Sequence, residues 1–251
     1  MNLGQPLAIL ALSFATSAFG QAAFSVENKK PEKPIVGQPF SADQVIRTVQ
    51  HLTNGVTLTK QMTGHIYRSS AGLERSEATP DSTDPEATKP LTLAWIVDRT
   101  EHTAILVHVQ SKFATITHLP PDSTVHFGFL VQPGDNLPEQ FRPGKAETAE
   151  LGQRIQDRLV MVGKRVTRTI PYDKAGNDAP LLSSKESWYS SQLNLVVEEV
   201  ERDPADGERT VELTNIRREE PDPELFKIPP GFKIMDQPLV PPKTPRPAAT
   251  P

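Results

Sequence analysis

Four histidines in the middle of the chain, His102, His108, His118 and His126, are the first residues whose type invites chemistry. Neutral imidazole is the commonest side-chain ligand for a transition metal. His102 and His108 repeat onto one strand face only at a separation of about 20 Å, too far to share an ion. They are expected to be ordinary strand histidines, with no metal site. A hydrolase needs a nucleophile, a base and an orienting acid held together. Ser190, Ser191 and Glu186 supply the residue types, but no Gly-x-Ser-x-Gly elbow is present. The pairs Glu198-Glu199 and Glu219-Glu220 send adjacent carboxylates to opposite faces, which a glycosidase pair cannot use, and read as solvated charges. No catalytic residue and no cofactor is assigned, and the chain is expected not to be an enzyme.

Arg168, Trp188 and Leu195 are the candidate ligand-binding residues. Trp188 and Leu195 would line an apolar groove, and Arg168 would meet a lipid phosphate or a carboxylate. The structural alternative has Trp188 filling the core and Arg168 paired with Glu186 across strands.

The elements that must position these residues are strands. Residues 41–50 place apolar side chains without a helical repeat, and Asn54-Gly55 is a two-residue hairpin signal leading into a second strand that ends near Arg68. Ser69 to Gly72 is a turn, Leu73 to Glu77 a short charged strand, and Thr79 to Pro90 a polar loop. Leu91 to Asp98 and Thr103 to Val109 form a strand pair, followed by short strands at Phe113 to His118 and Val125 to Val131. Ala146 to Ile155 is the longest helix candidate, weakened by Gly152.

Leu151 to Ile234 carries the most regular alternation. It holds a long strand from Leu159 to Ile170 with Gly163 as a bulge, a strand from Ser183 to Ser190, and two strands joined at Asp206-Gly207. Asn177-Asp178 reads as turn chemistry. Asp222 is a fit N-cap with Pro223 in the first helical position, and Leu225 and Phe226 would pin that turn to the core before a last strand ending near Ile234. About eleven strands and one or two short helices make a single large antiparallel meander, an unclosed half-barrel of mainly β class.

Residues 1–20 carry no charged side chain, and their apolar run matches a secretory signal peptide and is too short to span a bilayer. Cleavage is expected after Gly20. A flexible leader at 21–39, a β-rich domain at 40–236 and a disordered Pro-rich tail at 237–251 complete the expected organisation. With no cysteine, neither a disulfide nor a lipid on an N-terminal Cys is available, so stability must come from a packed core. A net charge of −4 gives no basic footprint for nucleic acid.

Tyr67 to Arg75, Val162 to Pro171, Gly176 to Asp178, Glu186 to Leu193, Leu213 to Ile216 and Glu220 to Phe226 together resemble a group of uncharacterised secreted proteins of soil acidobacteria. More distantly, the succession of long strands, the Trp-Tyr strand, the Asp-Gly hairpin and the closing Asp-Pro-x-Leu-Phe-x-Ile-Pro is similar to the periplasmic lipoprotein-carrier (LolA/LolB-type) superfamily. That resemblance implies a half-barrel, and the chain departs from it in lacking a long N-terminal helix at Ser41 to Leu52. The expectation is an exported, periplasmic or secreted, soluble binding protein whose partner is a lipid, a lipoprotein or another envelope protein. A ligand-free interaction module of the envelope is the alternative, and an exported hydrolase the less favoured one.

Overall fold

The computed structural model describes residues 24–28, 33–80, 92–120, 123–127, 144–172, 177–204 and 206–237. The expected signal peptide, the tip of the polar loop after residue 80 and the tail beyond 237 lie outside the described residues. The strands are β1 (Phe24–Asn28), β2 (Phe40–His51), β3 (Thr57–Arg68), β4 (Glu74–Pro80), β5 (Leu93–Asp98), β6 (Thr103–His108) and β7 (Phe113–His118). They continue as β8 (Ser123–Phe127), β9 (Lys145–Gln156), β10 (Leu159–Ile170), β11 (Leu181–Ser190), β12 (Leu195–Asp203), β13 (Gly207–Arg217) and β14 (Lys233–Gln237). The fold is mainly β, as the alternation predicts, with more strands than the eleven expected.

Twelve strands form one unclosed sheet in the order β14-β7-β6-β5-β4-β3-β2-β13-β12-β11-β10-β9, and β1 pairs with β8 apart from it. Two meanders, β2 to β7 and β9 to β13, are joined where β2 lies beside β13. The period-2 pattern explains why. Phe40, Ala42, Gln44 and Ile46 alternate inward on β2. The register then carries an apolar rung from Val211 through Ile46 to Met62, and another from Ala42 through Ile66 and Ser76 to Trp95. This face, called inner below, bears the larger apolar cluster, which includes Phe40, Ile66, Trp95, Val97, Leu193, Val197 and Leu213.

A smaller cluster occupies the outer face of β5 to β7. Ile96, Val107 and Ala114 pack there against Leu225, Phe226, Ile228 and Phe232. These last four belong to the connection from β13 to β14, which contains a 3-10 turn, Pro223–Phe226. The turn is capped as expected, with the Asp222 side chain accepting from the Glu224 N–H. The last strand departs from the expected meander, because β14 runs parallel to β7. Parallel neighbours require a crossover, and the buried Phe226 pins that crossover to the outer face.

Three further expectations are corrected. Residues 145–156 form strand β9, paired along its length with β10, where a helix was expected over 146–155. An isolated helix there would have had no apolar stripe to bury, and pairing supplies the backbone bonds. The bulge lies on β9: Gly152 faces Gly163 and Glu150 faces Lys164, so Leu151 is the extra residue and Gly152 takes φ +83°. The Asn54-Gly55 hairpin exists, but its loop has three residues. Leu52 N–H donates to Val56 O at 2.8 Å and Gly55 N–H to Leu52 O at 2.9 Å, with Gly55 at φ +81°. The β9–β10 hairpin, which no Gly or Asn announces, turns through Asp157 and Arg158 at φ +48° and +61°.

Gly55 and Gly207 share a left-handed backbone, at φ +81° and +87°, but not surroundings. A Cβ at Gly55 meets nothing within 4 Å, whereas at Gly207 it lands 2.2 Å from the Val49 carbonyl oxygen. Gly55→Ala is expected to cost about 1 kcal/mol from the backbone alone. Gly207→Ala should cost a further roughly 1 to 3 kcal/mol, because the β2–β13 seam must open to admit it. Urea unfolding of both variants checks this; equal losses would refute the seam's tightness.

Candidate functional site

The Trp188 ring sits on strand β11 directly over Gly163 of β10, so close that a Cβ at residue 163 would lie 2.6 Å from the ring. The Arg154 guanidinium covers the indole, 4.2 Å from the ring centroid, and is itself ion-paired with Glu198. The indole N–H donates to Glu186 Oε1 at 3.1 Å. Arg165 grips the other oxygen of Glu186, with Nη2 at 2.7 Å and Nε at 3.1 Å. That hydrogen bonding from Arg165 holds the Glu186 carboxyl below its ordinary pKa, helped by the Trp188 N–H and opposed by partial burial.

Leu195 is buried in the same apolar cluster as Trp188. Leu195, Val196 and Val197 are all buried in succession, because the register between β11 and β12 shifts at Trp188/Tyr189 and breaks the alternation. Arg168 is placed elsewhere. It lies opposite Ser183, on the face of β10 away from Gly163, and donates Nη1 to Gly144 O at 3.1 Å. The cross-strand partner of Glu186 is Arg165, three residues earlier in the strand. The expected Arg168–Glu186 pair is therefore corrected: the register puts the two on opposite faces.

The inner face carries a group of charges around Glu199, a residue expected to be solvated. Glu199 is only 3% exposed. Lys185 Nζ reaches Glu199 at 2.7 Å and Glu201 at 3.0 Å, and Arg209 stands 3.9 Å from both acids. Burial raises the Glu199 pKa against the opposing pull of Lys185. The clue was the register, since Glu199 faces Val211 and hence Ile46, a pairing no local pattern discloses. Glu198, pointing the other way, meets Arg154.

Beyond this group the apolar cluster continues to a half-buried border of Met62, Leu93, Leu106 and Leu151. At the opposite end of the strands a polar cleft of about 520 Å³ lies between Gln38, Arg158, Gln192, Leu193, Ile216 and Arg218. Trp188, Arg168 and Leu195 do not line it. Arg68, 1% exposed, closes the core beneath: its Nε donates to Gln38 O at 3.0 Å, another nitrogen donates to Leu193 O, and the guanidinium covers Phe40. The histidines are dispersed. His102 occupies a turn, His118 bonds Asp236 at 2.8 Å, and His65 bonds Asp43 at 2.8 Å. Ser190 is fully buried.

No protein family matches the chain by sequence, and no curated protein matches it. Solved structures do. An uncharacterized conserved protein from Thermus thermophilus has 8% identity, with 80% of this chain and 91% of that chain covered at a TM-score of 0.42. The MucA/MucB complex of Pseudomonas aeruginosa gives 9%, 76% and 56% at 0.38. A LolA superfamily protein from Nitrosomonas europaea gives 11%, 76% and 90% at 0.28. The chain is similar to these proteins, and at such identities no ligand or activity passes from them to it.

An acid whose folded pKa lies above its unfolded value binds more protons in the native state. Its contribution to stability is therefore present at low pH and lost as pH rises through the window between the two values. Glu199→Gln should remove that part of the slope, so the difference in unfolding free energy between wild type and variant changes as pH rises above the ordinary carboxylate value. Urea titrations at a series of pH values measure it, and parallel profiles would disprove the assignment.

Proposed function

We propose that the chain is an exported binding protein of the cell envelope, not an enzyme, and that it accepts the acyl chain of a lipid or lipoprotein on the inner face of the half-barrel. One observation carries the reading. The inner apolar cluster runs out to half-buried Met62, Leu93 and Leu106 on β3, β5 and β6. Apolar surface left at the open edge of a packed core is surface a ligand can cover. Among the described residues no helix is long and apolar enough to cross a membrane. Export rests on the signal-peptide pattern of residues 1–20.

The ligand-free module is the competing reading, and a specific observation favours it. Trp188 and Leu195, expected to border a cavity, are packed into the cluster, and the cleft at the other end is polar. Mass spectrometry of solvent extracts from the purified protein, with titration of the neutral dye N-phenyl-1-naphthylamine, separates the two. The proposal expects co-purifying acyl lipid, saturable dye binding, and a loss of at least about tenfold in dye affinity for Leu106→Glu, since a charge must then be buried with the chain. Near-UV circular dichroism verifies that the variant is folded. Absence of both lipid and dye binding would remove the proposal and leave the module.

A further inference from the structure

The turn of the β2–β3 hairpin, residues 52–56, lies beyond Glu208↔Val49, the last rung that β2 shares with β13. Its tip exposes three large apolar side chains within seven residues: Leu52 at 40%, Val56 at 52% and Leu58 at 41%. Single exposed apolar residues need no explanation, but a group on one hairpin tip does. The alternation puts all three on the inner face, in line with Met62.

The hairpin itself carries charge of one sign, with Glu208 of β13 standing beside it opposite Val49. Residues 44–73 contain no Asp or Glu, although the whole chain has 31 of them and a net charge of −4. Arg47 and Lys60 stand on adjacent rungs, Arg47↔Gln61 and Thr48↔Lys60, one on each face of the hairpin. Both are exposed, and neither joins an ion pair with a described residue. Lys60 follows Leu58 by two residues, about 7 Å along the strand. That separation matches the depth, about 5 to 10 Å, at which an interfacial segment sinks its apolar side while its cations stay among the headgroups.

We infer that the hairpin tip docks on an anionic lipid surface, with Leu52, Val56 and Leu58 in the acyl boundary and Arg47 and Lys60 on the phosphates. A lipid bilayer fits better than a protein groove because apolar tip and unpaired cations are layered along the hairpin, as headgroups and acyl chains are layered along the bilayer normal. The inference goes beyond the proposed ligand site and stands on the hairpin alone.

Flotation of the purified full chain with vesicles tests it. Phosphatidylethanolamine vesicles containing phosphatidylglycerol should carry the protein at low salt and release it as salt rises, while phosphatidylcholine vesicles should bind it poorly. Arg47→Gln and Lys60→Gln should each weaken binding about fivefold, and Leu52→Asp with Val56→Asp should abolish it. N-phenyl-1-naphthylamine binding by that double variant should be unchanged, which separates failure of this inference from failure of the ligand-site proposal. As an independent readout, Val56→Trp should blue-shift its emission and be quenched by brominated lipid when anionic vesicles are added. Failure of the wild type to float with anionic vesicles, binding insensitive to all four substitutions, or an unshifted Trp emission from the Val56→Trp variant would overturn the inference.

Discussion

The pairing of β2 with β13 makes two meanders into one sheet. Each half is local: within β2 to β7 and within β9 to β13, strands that follow one another in the chain lie side by side in the sheet. The rung Val211↔Ile46↔Met62 exists only when the halves meet, and the inner cluster draws on both. Gly207 lets β13 approach within backbone contact of Val49. Arg68 reinforces the junction from inside, since its guanidinium satisfies carbonyls of Gln38 and Leu193, from segments far apart in the chain. Burial lowers the Arg68 pKa against the pull of Glu74, which is itself paired with Arg99. Joining residues this distant loses chain entropy before any contact forms, a cost that the local hairpins do not carry.

Buried charge is handled in three ways in the molecule. Arg68 is met mainly by backbone carbonyls, Glu199 by Lys185 at 2.7 Å, and Glu186 by Arg165 and an indole N–H at the edge of the cluster. Removing one partner from such a group leaves an uncompensated charge, which is costly, while the intact pair adds little over apolar packing. These groups therefore specify register more than they add stability. Slipping β12 by one residue would turn Glu199 away from Lys185 and bring Glu198 into the core beside Val211.

Much of the architecture was legible because its signals are local. Alternation marked the strands, Asn54-Gly55 and Asp206-Gly207 marked two hairpins, and Asp222-Pro223 marked the capped turn. Where local signals were silent or misleading, pairing decided. The Asp157-Arg158 turn has no glycine, and β9 reads as a short helix until β10 supplies its hydrogen-bond partner. Gly163 looked like a bulge because a glycine interrupts a strand. It is a glycine because Trp188 lies on it, a contact between residues of different strands.

By itself the sequence determined the class of structure, its approximate strands and the need for a core without disulfides, because period-2 burial and turn chemistry act over a few residues. Only the tertiary structure decided which residues share a face. It separated Arg168 from Glu186, buried Glu199 while leaving Glu198 to Arg154, and laid β14 parallel to β7. The physical reason is that a face is a property of register, and register here is set by a long-range seam, three register shifts and a crossover.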